Sequence, residues 1–488
     1  MTSNNQQQQN MISIFGRSKI IVLSLFVVLL LTLFHLATSQ STITSLPGFP
    51  GKLPFKLETG YVGVGDADSV RLFYYFVESE REPNYDPLVL WLTGGPGCSG
   101  LSALFYEIGP LKFDVEDFDG IFPNLGLNEY SWTKVASILF VDAPVGTGFS
   151  YAKTSEGYNV SDTISAAQTY EFLRKWLIDH QKFLSNPLYI GGDGYAGITV
   201  PIIAQEVLTG NKNGNFPRVS LQGYLLGNPL TDTYTDPNSR VEYAYRVNLL
   251  PVELYLAAKT SCNASYVNVD PENVECLDNL GAIEDCLSKL NFAQILEPSC
   301  YPLLSPKQNV IKWDRRFPEE DAIETLMSNG SRPHYPELWC RVQNYIPSYI
   351  WANDKGVQDA LRVQNGTVEE WVRCNNSLSY TYNVNSSVAY HQNLTKSTYR
   401  ALIYSGDQDL LVPYVGTLQW IRSLNLSVAN VWQPWFLDGQ VAGYTVEYAE
   451  RLYELTYATV KGAGTTAPEY KPKPSLAMVD RWFAHYFL

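Results

Sequence analysis

A series of short apolar runs that break off into glycine-rich turns constrains this chain more than any other feature. They are "LVLWLTGGPGCSG" from Leu88, "SILFVDAPVGTGFSY" from Ser137, "LYIGGDGYAG" from Leu188, "LQGYLLGNPL" from Leu221, "ALIYSGDQD" from Ala401 and "TYATVKGAG" from Thr456. Each reads as a buried strand whose C-terminal end opens into a loop. Helical patterns such as "TISAAQTYEFLRKWLIDH" from Thr163 lie between them. The alternation predicts an α/β architecture with a mainly parallel sheet, whose ligands gather beyond the carboxyl ends of the strands. The pattern lapses between Thr231 and Cys340, where closely spaced cysteines, prolines and the polar stretch "SPKQNVIKWDRRFPEED" suggest an inserted cap. The expected organisation is a core first half over 40–230, a cap over 231–340 and a core second half over 341–488.

Composition narrows the partners. With 45% hydrophobic and 17% charged residues the chain is globular, and 35 basic against 49 acidic residues exclude nucleic acid or an anionic membrane as its main partner. Residues 1–39 read as a cleaved secretory signal, since Arg17 and Lys19 precede the apolar run Ile20–Ala37 and small residues end it at Ala37–Ser39; the alternative is an uncleaved membrane anchor, the run approaching the length of a bilayer span. No membrane association is expected after cleavage. The seven cysteines lack the tight pairs of a zinc site, so disulfides are expected and no metal or cofactor. Sequons at Asn159, Asn263, Asn329, Asn365, Asn375, Asn385, Asn393 and Asn425 fit the secretory route.

One turn stands apart. "YIGGDGYAGITVP", Tyr189–Pro201, has the form of the strand-to-helix bend that carries a hydrolase nucleophile, with a glycine where the hydroxyl belongs. Together with "WLTGGPGCSG" at Trp91–Gly100, "YSGDQDLLVP" at Tyr404–Pro413, "DGQVAGYT" and "VKGAGTTAPEYKP" at Val460–Pro472, it makes the sequence resemble the serine carboxypeptidase-like family from about Leu46 to the C-terminus. That resemblance implies an α/β-hydrolase fold, a mixed, mainly parallel sheet with an inserted helical cap. Family peptidases carry an Asn before the "GGPG" glycines and a Glu before the nucleophile, a pair that binds a substrate carboxylate. Here Thr93 and Asp193 hold those positions, with Gly94 beside them. The pattern is similar to the plant acyltransferase branch, which moves acyl groups from glucose esters onto plant phenolics.

Carried over residue by residue, the resemblance puts Gly194 at the nucleophile, Thr465 at the general base and Asp409 at the acid that orients it. It places oxyanion donors at the backbone N–H groups of Gly95 and Tyr195, which need no side chain. Loss of a nucleophile and a base together costs on the order of 10⁶ in turnover, so ordinary acyl-enzyme chemistry is excluded. Asp409, without an imidazole partner, reads as a solvated or hydrogen-bonded loop carboxylate. Thr465, Thr466 and Ser405 offer hydroxyls, but none has a base evident in sequence. His180 falls in an amphipathic helix, His391 in a sequon-rich loop, His334 in the cap and His485 near the C-terminus, and each reads as a surface or internally satisfied ring. The resemblance also implies disulfides Cys98–Cys340, Cys262–Cys276 and Cys286–Cys300, leaving Cys374 as a buried thiol.

These readings lean away from an enzyme. The expected function is a non-catalytic companion that supports an active serine carboxypeptidase-like paralogue in acyl transfer from glucose esters to plant phenolics. The alternatives are a pseudoenzyme that binds a glucose ester or peptide, and an acyltransferase with an atypical mechanism. The family implies a vacuolar or extracellular destination.

Overall fold

The computed structural model describes residues 40–116, 118–299 and 341–488. The signal segment, Cys300, Asn329, His334 and Cys340 therefore lie outside the described residues. Ile43–Leu488 forms one compact body, and no helix among the described residues is long and apolar enough to cross a membrane.

The apolar runs are strands. In chain order they are β1 (Leu57–Val64), β2 (Val70–Val77), β3 (Leu88–Leu92), β4 (Ser137–Val141), β5 (Leu188–Asp193), β6 (Leu221–Gly227), β7 (Arg400–Gly406), β8 (Ser427–Leu437), β9 (Gln440–Glu450) and β10 (Tyr453–Val460). They lie side by side in the order β1-β2-β4-β3-β5-β6-β7-β10-β9-β8. The centre, from β4 to β10, is parallel, and both flanks are antiparallel. The β8–β9 hairpin, mixed in burial along its length, was not among the expected strands.

Every residue of β3, β4 and β5 is buried, which is why these strands read as continuous apolar runs rather than alternating ones. Alternate side chains enter two layers. Val89, Trp91, Phe140 and Tyr404 pack with Trp132, Trp351 and Trp482 on one side, while Leu88, Leu90, Leu139 and Ile190 pack with Phe172, Trp176 and Ile203 on the other. Each fully buried side chain of this kind contributes about 1.5–3 kcal/mol. The second layer is built by α1 (Asp162–Asp179), whose N-terminus Ser161 caps by accepting from Ile164 N–H, and α2 (Ala196–Lys212).

Between β6 and β7 come α3 (Thr235–Arg246), α4 (Val252–Ser261) and α5 (Val274–Leu287). They bury a separate small core of Val241, Tyr243, Ala258, Ile283 and Leu287, completed by Leu410 and Val415 from beyond β7. Cys262–Cys276 clasps α4 to α5, as the resemblance implied. One pairing differs, while the partner expected for Cys286 lies outside the described residues. Cys98 is bonded to Cys374, not to Cys340. Ser99 N–H donates to Arg373 O (2.8 Å) and Asn375 N–H to Gly97 O (2.9 Å), so the two backbones run side by side and their cysteines face each other at a Cα separation of 3.9 Å. Cys374 is thus a bridged half-cystine rather than a spare thiol, and among the described residues the exposed Cys286 is unbridged.

Three further helices are α6 (Val388–Leu394), α7 (Tyr414–Ser423) and α8 (Pro472–Phe483). His391, expected in a loop, sits in α6 and is fully buried.

Candidate active site

The chain runs from β3 to β4 in one direction across the sheet and from β5 to β6, β7 and β10 in the other, so the strand order reverses between β3 and β5. A crevice at the carboxyl ends of the strands belongs at such a point. The loops gathered there carry the residues singled out in sequence: Thr93–Gly95 after β3, Asp193–Tyr195 after β5, Asp409 after β7, and Thr465–Thr466 after β10.

Gly194 occupies the bend with φ +51°. Its N–H donates to Gly227 O at 3.0 Å and its carbonyl accepts from Leu230 N–H at 2.8 Å, fixing the turn against β6 and the segment beyond it. A Cβ built at Gly194 would meet only the Gly94 Cα, at 3.8 Å. The bend therefore keeps the left-handed backbone and the space of a side chain without the side chain itself. The loop after β3 presses close: a Cβ at Gly94 would lie 3.0 Å from Asp193 O and 3.3 Å from Tyr195 N. This brings Gly95 beside the N-terminus of α2, where Tyr195 stands as the cap residue and its hydroxyl donates to Asp162 Oδ1 at 2.6 Å.

Asp193 is buried and accepts the Gly94 N–H at 2.9 Å, with Thr466 Oγ1 at 3.5 Å from its other oxygen. Burial pushes its carboxyl up to about 6 against the pull of those hydrogen bonds, and the negative charge of Glu469 adds to the rise. Thr93 is half-buried, with its hydroxyl oxygen enclosed and without a partner among the described residues.

Asp409, expected to be either solvated or hydrogen-bonded, is wholly buried and hydrogen-bonded. Asn228 Nδ2 donates to it at 2.8 Å, Leu411 N–H at 2.7 Å and Val412 N–H at 3.3 Å. Thr465 Oγ1 donates at 2.7 Å to Oδ1, while the Thr465 N–H is tied to Ala293 O at 2.8 Å. Burial holds the Asp409 carboxyl up at about 6, and the four donors oppose that rise. A carboxylate therefore does stand beside the Thr465 hydroxyl, a neighbour that the linear sequence did not reveal. Ser405, by contrast, has a buried hydroxyl with no partner among the described residues.

Sequence reasoning also missed Glu107. It is buried, one of its oxygens has no partner among the described residues, and burial together with the charges of Asp193 and Glu469 pushes it well above the ordinary carboxyl range. A single acid inside the apolar stretch "ALFYEIGP" was the available signal. Glu469 itself is held by Arg341 and Tyr345, both at 3.0 Å.

The described histidines have their partners elsewhere. His180 lies 2.8 Å from Glu58 Oε1 and stacks on Trp176. His391 meets the Tyr224 hydroxyl at 2.9 Å, and burial lowers it to about 3. His485 lies 3.3 Å from Arg400. Among the described residues no group of three or more His, Cys, Asp and Glu side chains could hold a metal ion.

A mixed sheet with a parallel centre, a tight bend into a helix at its reversal point and an acid on the loop after β7 define an α/β-hydrolase-fold protein. The serine carboxypeptidase family model matches residues 47–485. Serine carboxypeptidase-like 17 of Arabidopsis thaliana is 45% identical over 456 residues, 93% of this chain and 96% of the relative. Serine carboxypeptidase-like 19 of the same plant is 44% identical over 467 residues, covering 94% and 98%. Among solved structures, the prohormone-processing carboxypeptidase Kex1Δp of Saccharomyces cerevisiae superposes with a TM-score of 0.68 at 20% identity, covering 91% of this chain and 94% of that one. The chain belongs to the serine carboxypeptidase family.

Proposed function

We propose that this chain is a non-catalytic member of its family, a companion that assembles with an active serine carboxypeptidase-like relative and supports acyl transfer from glucose esters to plant phenolics. The observation that carries the reading is the pairing of an intact bend with missing chemistry. Gly194 keeps the φ of +51° and the empty side-chain space, while Thr465 fills the base position with a hydroxyl that donates to Asp409 at 2.7 Å, with Ala293 O at 3.4 Å. A hydroxyl in that place cannot take a proton from a nucleophile and return it to a leaving group, as an imidazole does. The surrounding loops, by contrast, remain closely packed and hydrogen-bonded, as a surface or pocket for partners requires. Co-expression with an active relative tests the proposal: complex formation and a raised yield or acyl-transfer rate are expected, and no association with no change in rate refutes it.

One contact favours a second reading, transfer without an imidazole. The Thr465 hydroxyl lies 2.7 Å from a desolvated carboxylate, the only base beside it among the described residues. The hydroxyl's own pKa lies far above that of Asp409, so proton removal is steeply uphill and the companion role is preferred. If the purified chain alone transferred acyl groups and Thr465→Ala abolished the transfer, the second reading would replace the first. Delivery to a vacuole or the extracellular space belongs to the same proposal; the two disulfides fit an oxidising compartment.

A further inference from the structure

A pocket of about 320 Å³ opens between the loop after β4 and the segment 367–379, and none of its lining residues belongs to the Gly194 site. Gly146 and Gly148 form one wall, packed closely against Leu378 and Asp142; Tyr158, Thr367, Glu370, Ser377, Leu378 and Ser379 contribute to the others. The hydroxyls of Thr367, Ser377 and Ser379 donate to Gln364 O, Asn375 Oδ1 and Asn159 Oδ1 and offer their lone pairs to a ligand; with the Glu370 carboxylate, and a tyrosine ring beside a leucine, these acceptors suit the hydroxyl donors of a neutral polyhydroxylated ring. They suit an extended apolar chain far less.

The sequons say where such a ring would come from. Tyr158 on the wall is followed immediately by Asn159, which is exposed, and the wall residue Ser379 donates its hydroxyl to Asn159 Oδ1 at 2.8 Å. The carboxamide that would carry a glycan therefore stands one hydrogen bond from the pocket. Of two other sequons nearby, Asn375 is committed through the nitrogen that would carry a glycan, and Asn365 is not among the lining residues. Asn375 is half-buried with its Nδ2 donating to Gly146 O at 2.9 Å. Asn365 accepts from Lys355 Nζ at 3.1 Å and bonds no wall residue.

We infer that the pocket seats the first sugars of an N-linked glycan carried by Asn159, which joins the loop after β4 to the segment 367–379. The latter segment is fastened to the Gly94–Gly97 loop by the Cys98–Cys374 bond and by the Asn375 N–H to Gly97 O contact, so the seated glycan braces the wall behind the candidate site. This inference is independent of the companion role.

The test uses the full chain secreted from a glycosylating host. Native protein is digested with a peptide N-glycosidase, and release is followed site by site by mass spectrometry. Asn159 is expected to be occupied and released about tenfold more slowly than the exposed Asn263 and Asn425, the factor that ~1.4 kcal/mol of docking supplies. Val368→Trp, which fills the pocket, is expected to bring Asn159 release up to the rate of the other sites. Ser379→Ala, a milder change, gives the same direction if the tryptophan variant does not fold. The inference is overturned if Asn159 carries no glycan, if its glycan leaves as fast as the others, or if neither variant speeds release. It is equally overturned if Asn159 is empty while the Asn159→Gln protein binds free N-acetylglucosamine in this pocket, which would make the site one for a diffusible sugar.

Discussion

Restoring two side chains should switch on an acyl-enzyme that the native chain cannot form. In the double variant Gly194→Ser, Thr465→His, the new serine Cβ meets only the Gly94 Cα at 3.8 Å, an ordinary contact. The steric cost is therefore small, and the strain is that of an L-residue at φ +51°, about 1–2 kcal/mol. At position 465 the backbone remains tied to Ala293 O, and an imidazole N–H would replace the Thr465 hydroxyl on Asp409 Oδ1. Triad groups act as a unit, so each single variant should stay near the native background while the pair gains several powers of ten, up to on the order of 10⁶. Covalent labelling by a fluorophosphonate and burst-phase hydrolysis of an activated ester read this out, with urea unfolding to verify that the variants remain folded. A folded double variant that neither labels nor turns over would refute the claim that the rest of the site is preorganised. Labelling of the native chain at the bend would refute the claim that it lacks a nucleophile.

Other expectations follow from particular contacts. Asp193 and Asp409 have folded pKa values raised to about 6 by burial, above an unfolded value of about 3.9. Their contribution is therefore fully present below pH ~4 and is lost as pH rises through about 6, and unfolding free energy should fall by a few kcal/mol between pH ~5 and pH ~7. Stability that rose over that interval would contradict the burial of these carboxyls. Thr465→Val should cost about 1–3 kcal/mol in urea unfolding by depriving Asp409 of one donor, whereas Thr465→Ser should be nearly neutral. Non-reducing peptide mapping should recover Cys98 joined to Cys374, and Cys374→Ser should cost about 2–5 kcal/mol. Glycopeptide analysis should find Asn375 unmodified, because its amide nitrogen is engaged with Gly146 O, while the exposed Asn263, Asn393 and Asn425 remain available.

The parallel centre of the sheet was legible because fully buried strands write themselves as unbroken apolar runs, and the bend at Gly194 because its glycines serve a backbone that few residues adopt. Asp409 was found, with solvated and hydrogen-bonded readings left open: its burial depends on Asn228, Leu411, Val412 and Thr465 closing round it, and no local pattern around "GDQD" announces that. The partner of Cys98 was missed for a similar reason, since it is fixed by two strand-like segments lying side by side. His391 was taken for a loop residue because its helix is short and set among sequons, which hides the buried face that meets Tyr224 and Trp420. Glu107 drew no attention because a lone acid in an apolar stretch signals something only once Asp193 is seen near it.

The Cys98–Cys374 bond spans a sequence separation of 276 and so closes most of the polypeptide into a loop. A protease that severs one peptide anywhere between those two cysteines opens the loop without releasing a fragment. The nicked molecule would migrate as a single species until a reductant parts it into two.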